Sequence, residues 1–482
     1  MSSYQKSLLE STETSVDDIL ERIGWKNVRI LTGLSLISLC WVFTAVNMLI
    51  ESFVDDPECD FSNPSNLTDF CFERQNTSMI SELQLYGSRS YLKHSLTSAF
   101  MIGSIFGGPL ISFCSDKYGR KKAVIWSIFV IGICSCTMLF ANDISTILIL
   151  RFLQGSVYDG IEISGWVLAN ESIPSILRPI ATFVFGFTWV VGYCFVALLA
   201  YYIKDWRLYM SASGVPSLVF CFVAFLLVPE SLHILVEKGN LEESKKWVRK
   251  VAGRTFLKKV DWTAVMKNGE QKDQTNTIWE STKNVLSNPS LLKRVSILAF
   301  VWATDMFVYF GMSMFTVSLA GNKYFNFVAV GIVELVAYAI CPIMLAKIGR
   351  RWTISSTHFL TAILFGIACL FLKSKFYICQ NNPLELIIWL TAKVAISTPF
   401  MALFMFAVEV FPTSERNYCI GICILSSKIV GVFSTEIQRT VSIWGPFPLV
   451  VFGSLSAMAG FLTLLLPETN NTKLPSSIKN LE

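Results

Sequence analysis

Three charged residues share one apolar run. Residues 151–166 read RFLQGSVYDGIEISGW, inside a run from Ile144 to Ala169 long enough to cross a bilayer, and they include Arg151, Asp159 and Glu162. A charge near the bilayer centre costs a few kcal/mol or more. At about 100° per residue, Arg151, Gly155, Asp159, Glu162, Trp166 and Asn170 fall within an arc of about 100°, whereas Leu153, Val157, Ile161 and Leu168 point elsewhere. A face of that kind lines a polar cavity or packs on a partner helix, and its chemistry is ion pairing or ion recognition. Arg151 and Glu162 stand about 16 Å apart along the axis, too far for a direct bond.

Other apolar runs supply candidate partners. They hold Asp305 with Tyr309 one turn on, Glu334 with Tyr338 one turn on, Lys393, and Lys428 behind Ser426 and Ser427. Carboxylates at Glu162 and Glu334, with Trp166, Tyr309 and Tyr338 nearby, suit a cation through charge and cation–π contact. Lys393 and Lys428 would instead suit an anion. No Walker pattern supports ATP-driven chemistry. The three histidines, His94, His233 and His358, are scattered and form no metal-ligand spacing. No nucleophile–base constellation marks an enzyme. The expected partners are a small organic ion and the bilayer, with no cofactor, nucleotide or nucleic acid.

The elements that carry these residues follow from composition. The 482 residues are 53% hydrophobic and 16% charged, against about 25% charged in a soluble domain. At about 20 apolar residues per crossing, twelve spans are predicted: 28–50, 94–114, 123–141, 144–169, 179–202, 207–228, 292–318, 325–346, 352–372, 385–408, 417–440 and 446–466. Met1–Lys26 is polar and unlike a cleavable signal peptide. The polar segment 53–93 holds Asn66-Leu-Thr, Asn76-Thr-Ser, Cys59 and Cys71, which predicts an oxidising, glycosylated exterior for it. The basic segments DKYGRKK (116–122), 229–291, KIGRR (347–351) and Arg416 then fall inside, as the positive-inside rule requires. Both termini are expected in the cytosol and the protein in the plasma membrane.

The chain also repeats itself. ESIPSILR (171–178) matches EVFPTSER (409–416), PES (229–231) matches PET (467–469), and YGRK matches IGRR. Each pair follows the corresponding span of its half. The expected organisation is a segment 1–27, a six-helix half 28–228, a loop 229–291, a six-helix half 292–466 and a tail 467–482. Parallel halves of this kind place a substrate near the midplane between them. Asp116, Gly119 and Arg120, with Gly349, Arg350, Glu409 and Arg416, are the candidate gating residues at the basic ends, with plain anchoring as the alternative.

The ordered motifs resemble the organic cation, organic anion and carnitine transporters of the major facilitator superfamily. They are VDDILERIGW (16–25), ISELQLY (80–86), FMIGSIFGG…SDKYGRKK (100–122), RFLQG (151–155), WR (206–207), PES, WATDMFVYFG (302–311), GNKYFNFVAVGIVE (321–334), EVFPTSER and LPET (466–469). PES is followed by Leu232-His233-Ile234, where that family tends to have Pro-Arg-Trp. The resemblance implies an all-α membrane protein of twelve helices in two six-helix halves. Lys428 matches a position where cation carriers have Asp, and Asp159 one where they have Lys. The two look charge-swapped, which predicts a salt bridge between the halves. Glu162 would then be the uncompensated charge, and Glu334 matches an acid of the cation carriers. The favoured reading is a carrier of organic cations; carriage of organic anions or carnitine-like zwitterions, and a transport-inactive receptor or scaffold, stay open.

Overall fold

The structure is a computed structural model that describes residues 15–54, 77–93, 95–258, 260–270, 278–319, 321–372, 383–412, 415–434, 436–437, 440 and 444–470. Every regular element among them is helical. Nine helices among the described residues are both long and apolar enough to cross a membrane. The fourth predicted span, Ile144–Asn170, is equally long but carries three charges. Arg416–Gly431 and Phe447–Thr463, the eleventh and twelfth, are shorter.

The first span is broken into Val28–Ser38 and Cys40–Leu49. Thr188 of the fifth span, Arg178–Tyr202, donates to the Ser38 carbonyl at the break (2.9 Å) and so satisfies a backbone group that the helix leaves open. The second span, Ser95–Tyr118, lies very close to the fourth. A Cβ on Gly155 would overlap the Phe100 carbonyl, and one on Gly107 would overlap Ser156 backbone. Small residues let the two backbones meet, the usual device where no hydrophobic effect drives helix association.

The eleventh span corrects the expected 417–440. Its helix ends at Gly431, after which Phe433 and Ser434 bond back to Val430 and Gly431 (3.0 Å each). These tighter bonds close the turn, and Ser98 of the second span takes the Val432 carbonyl (3.1 Å). The side-chain partner makes an early stop affordable inside the membrane.

At the basic end the described residues of segment 229–291 are folded. Leu232–Glu237, Leu241–Ala252, Arg254–Leu257, Trp262–Glu270 and Ile278–Ser287 are helices. With the N-terminal helix Val16–Ile23 the first four of these enclose a core of Val16, Ile19, Leu20, Leu232, Val236, Trp247, Val248 and Val265, whereas Ile278–Ser287 packs its Val285 into the core of the C-terminal half. We refer to the N-terminal helix and those four as the cap.

Candidate functional site

Buried charges gather in three layers, of which the first two link the halves. In the layer nearest the basic end, Lys428 of the eleventh span pairs with Asp159 of the fourth. Lys428 also donates to Ser104 of the second span (2.9 Å), whose hydroxyl faces both Asp159 carboxylate oxygens (3.4 Å). Gly108, one turn on from Ser104, is what leaves room; a Cβ there would overlap the Asp159 carboxylate. The pair is almost fully enclosed, with Asp159 2% and Lys428 7% exposed.

The second layer belongs to the C-terminal half. Glu334 of the eighth span, Lys323–Lys347, accepts from Tyr309 of the seventh, Pro289–Phe315, at 2.8 and 2.9 Å, and from Tyr338 at 2.9 Å. Lys393 of the tenth span, Pro383–Val410, pairs with Glu334 at 3.1 Å and donates to Ser313 at 2.7 Å. Its ammonium lies 3.3 Å from the centre of the Tyr309 ring. Trp189 of the fifth span donates to the Tyr309 hydroxyl (2.9 Å) and carries the network across the halves. Glu334, expected to face a cation, is instead closed off by Lys393, one of the expected charge-pair residues. Each is buried in a low-dielectric interior, where pairing is what makes the charge tolerable.

The third layer is Arg151. It pairs with Glu51, donates to the Asn47 carbonyl and to Gln154 (2.9 Å each), and lies over the Phe100 ring at 4.6 Å. Gln154, Ser135, Asn47 and Ser213 continue this network through the first, third, fourth and sixth spans. Arg151 therefore holds the N-terminal half together.

Glu162 is left without an ion-pair partner among the described residues. It lies beside Tyr158 and feels the charges of Asp159 and Lys428. Trp166, one turn on, belongs to an aromatic cluster with Trp41, Phe185 and Trp189, with ring centres 5.0 to 6.3 Å apart. Trp41 donates to the Glu162 carbonyl (3.3 Å). Asn170 turns its amide back to the Trp166 carbonyl (2.9 Å) and is spent within its own helix.

Asp305 does not join the Tyr309–Glu334 cluster as a substrate ligand. It faces His358 of the ninth span, Arg350–Leu372, at 3.4 Å, and both are fully buried.

The candidate gating residues form two equivalent charge clusters, or locks. Gly119 has φ +121° and Gly349 +95°, so each starts its helix with a turn that favours glycine. In the N-terminal half, Arg120 pairs with Asp116 and lies 3.6 Å from Glu171, while Glu230 accepts from the Lys121 backbone at 2.9 Å. In the C-terminal half, Arg350 grips Glu409 with two bonds of 3.0 Å, and Glu468 accepts from the Arg350 and Arg351 backbones at 2.9 and 3.1 Å. The second lock has no acid before its glycine, yet its arginine holds the more regular bidentate bond. Arg416 donates to the Phe411 carbonyl (3.4 Å), and its counterpart Arg178 pairs with Asp17 of the N-terminal helix at 2.8 Å. His233 adds to that contact at 3.5 Å. Its hydrogen bond, followed by the nearby charges of His233 and Arg178, holds the Asp17 carboxyl down at about 2.

Sequence reasoning missed Glu51, Trp41, Trp189, Ser104, Glu230, Glu468 and the Asp305–His358 contact. Glu230 and Glu468 carried a signal, because PES and PET repeat between the halves. Glu51 carried a weaker one, as an acid ending the first apolar run. Nothing in the sequence pairs Trp189 with Tyr309. Asn66, Asn76, Cys59 and Cys71 lie outside the described residues.

The site is a helix bundle whose two pseudo-equivalent halves are joined by the Asp159–Lys428 pair. Residues 61–477 match the sugar (and other) transporter family, to which the chain belongs. A Caenorhabditis elegans protein described as a transporter is 33% identical over 98% of this chain and 93% of its own length. The organic cation transporter protein of Drosophila melanogaster is 29% identical over 84% of this chain and 74% of its own. Organic anion transporter 3 of Rattus norvegicus is 28% identical over 86% and 77%. The inward-open xylose transporter of E. coli has a TM-score of 0.69 at 17% identity, covering 92% of this chain and 98% of that one. The fold is the twelve-helix major facilitator fold, and the chain is a transmembrane transporter.

Proposed function

We propose that the transporter carries small organic cations across the plasma membrane by alternating access between halves 28–228 and 292–466. In this reading the loop 229–291 and the segments 1–27 and 467–482 are cytosolic. Segment 53–93 is extracellular, glycosylated at Asn66 and Asn76, and Cys59 pairs there with Cys71.

The observation that carries the cation reading is Glu162. Asp159–Lys428 and Glu334–Lys393 each cancel, so the net charge they leave on the central face is the Glu162 carboxylate. It stands beside the Trp41–Trp166–Phe185–Trp189 cluster, and a carboxylate with aromatic faces is the pairing that quaternary ammonium ions select. Trp166, Tyr309 and Tyr338 are the further contacts, while the two locks gate the basic side and release as the halves rock.

Uptake of labelled tetraethylammonium and of a labelled aromatic carboxylate, side by side in cells expressing the chain, tests this. Saturable tetraethylammonium uptake is expected, with an apparent affinity on the order of tenfold weaker in Glu162→Gln, in line with ~1–2 kcal/mol for a desolvated cation contact. Saturable uptake of the carboxylate alone overturns the cation reading.

A further inference from the structure

An open cleft of about 1420 Å³ lies outside the central face, between the third span, Arg120–Met138, the sixth span, which ends in the helix Gly214–Leu227, and the cap. It exceeds the roughly 300–1,000 Å³ of small-molecule sites, and it has two unlike parts.

One part is basic. Lys117, Lys121, Lys122, Lys238, Lys246 and Lys250 line it, against two acids, Glu230 and Glu243. Glu230 is committed to the Lys121 backbone, where it fills the space a Cβ on Gly119 would need. Glu243 faces Lys246 at 3.5 Å. Lys121 and Lys238 are held in place by the Phe225 and Lys117 carbonyls (2.7 and 2.8 Å). Lys122 and Lys250 pair with no acid among the described residues, and Lys250 adds its charge to that of Lys121. Like charges gathered this closely raise one another's energy unless an anion sits among them.

The other part is apolar. Trp126, Phe129, Phe222 and Phe225 form its wall, and Trp126 and Phe222 are 57% and 64% exposed. These residues lie on spans, so the wall faces acyl chains. Trp126 sits less than two turns below the lysines, the depth where an indole bridges headgroup and hydrocarbon.

We infer that this cleft binds an anionic phospholipid of the leaflet on the basic side, with its phosphate among Lys122, Lys246 and Lys250 and its acyl chains along Trp126 and Phe222. A soluble phosphate would use only the lysines and leave the apolar wall unexplained. Basic pockets between spans are the kind of site that anionic headgroups occupy. The bound lipid would tie the helix Leu241–Ala252 to the third and sixth spans.

The test is native mass spectrometry of the full chain from nanodiscs of phosphatidylcholine with and without phosphatidylglycerol. Wild-type chain is expected to retain phosphatidylglycerol in preference to phosphatidylcholine. The triple variant Lys122→Gln, Lys246→Gln, Lys250→Gln is expected to lose that retention by about tenfold or more. The charge-matched control Lys258→Gln, Lys267→Gln, Lys283→Gln keeps it. Trp126→Ala with Phe222→Ala weakens retention as well. Equal retention by wild type and the first triple variant overturns the site. Full displacement of phosphatidylglycerol by inorganic phosphate, with no effect of the wall variant, also overturns it in favour of a soluble-anion site.

Discussion

Lys428 and Asp159 form an ion pair across the two halves, with Ser104 as their shared hydroxyl partner. Each comes from a different half, so rocking the halves apart on that side must separate or carry the pair. Breaking a buried pair by removing one partner costs about 3–5 kcal/mol, because the other charge is left alone. Lys428→Asp places two carboxylates together and is expected to abolish uptake at normal surface expression. Adding Asp159→Lys restores the pair in reverse and should recover part of the transport. A well-expressed double variant as inactive as the single one would remove the pair from the transport cycle.

Glu334 and Lys393 are coupled in the same way but within one half. Lys393→Met strands Glu334 among Tyr309 and Tyr338, whereas the double change Lys393→Met with Glu334→Gln removes both charges. The single variant is expected to lower the thermal midpoint in detergent by more than the double, consistent with a few kcal/mol for an orphaned buried charge. A double variant at least as destabilised as the single would show that Tyr309 and Tyr338, not the charge pair, carry the stability.

Much of this was legible from the chain, for identifiable reasons. Helical periodicity placed Arg151, Asp159 and Glu162 on one face, since a charged stripe in an apolar run has few other readings. The repeats located the two locks, because both halves need the same turn at Gly119 and Gly349. What periodicity does not provide is rotation between helices. It could not tell that Lys393 reaches Glu334 while Asp305 turns to His358, nor that Trp189 bonds Tyr309. The early end of the eleventh helix was missed although the chain signals it. Residues 432–440, VFSTEIQRT, hold only three apolar residues; what the sequence does not show is that Ser98, from a distant span, takes the Val432 carbonyl.

Gly155 tests the close approach of the second and fourth spans. Glycine in a helix interior is worse than alanine by ~1 kcal/mol, so Gly→Ala stabilises wherever space allows. At Gly155 the new methyl would overlap the Phe100 carbonyl, and backbone cannot rotate away as a side chain can. Overpacking costs about 1–3 kcal/mol or more, so it outweighs propensity. Gly165 in the same helix is the control, because its Cβ would find only Val124 at 4.0 Å. Gly155→Ala should lower the thermal midpoint clearly and Gly165→Ala should not; equal midpoints would refute the packing reading.

Asp17 ties the N-terminal helix to the start of the fifth span and to the cap, through Arg178 at 2.8 Å and His233 at 3.5 Å. The folded carboxyl is held at about 2, below its ordinary 3.8, first by the His233 hydrogen bond. A depressed folded value means that docking favours the ionised form. Its contribution is fully present above about 3.8 and is lost as the pH falls toward about 2. Pepsin cuts at acidic pH and can report release of Val16–Ile23 from the cap. Cleavage there is expected to rise in wild type as the pH falls through that window. Asp17→Asn should be cleaved faster at the upper end and should show a smaller rise. Part of the contact survives in that variant, because an asparagine oxygen can still accept from Arg178. An Asp17→Asn profile that overlays wild type across the window would show that the apolar contacts of Ile19 and Leu20 alone hold the helix in place.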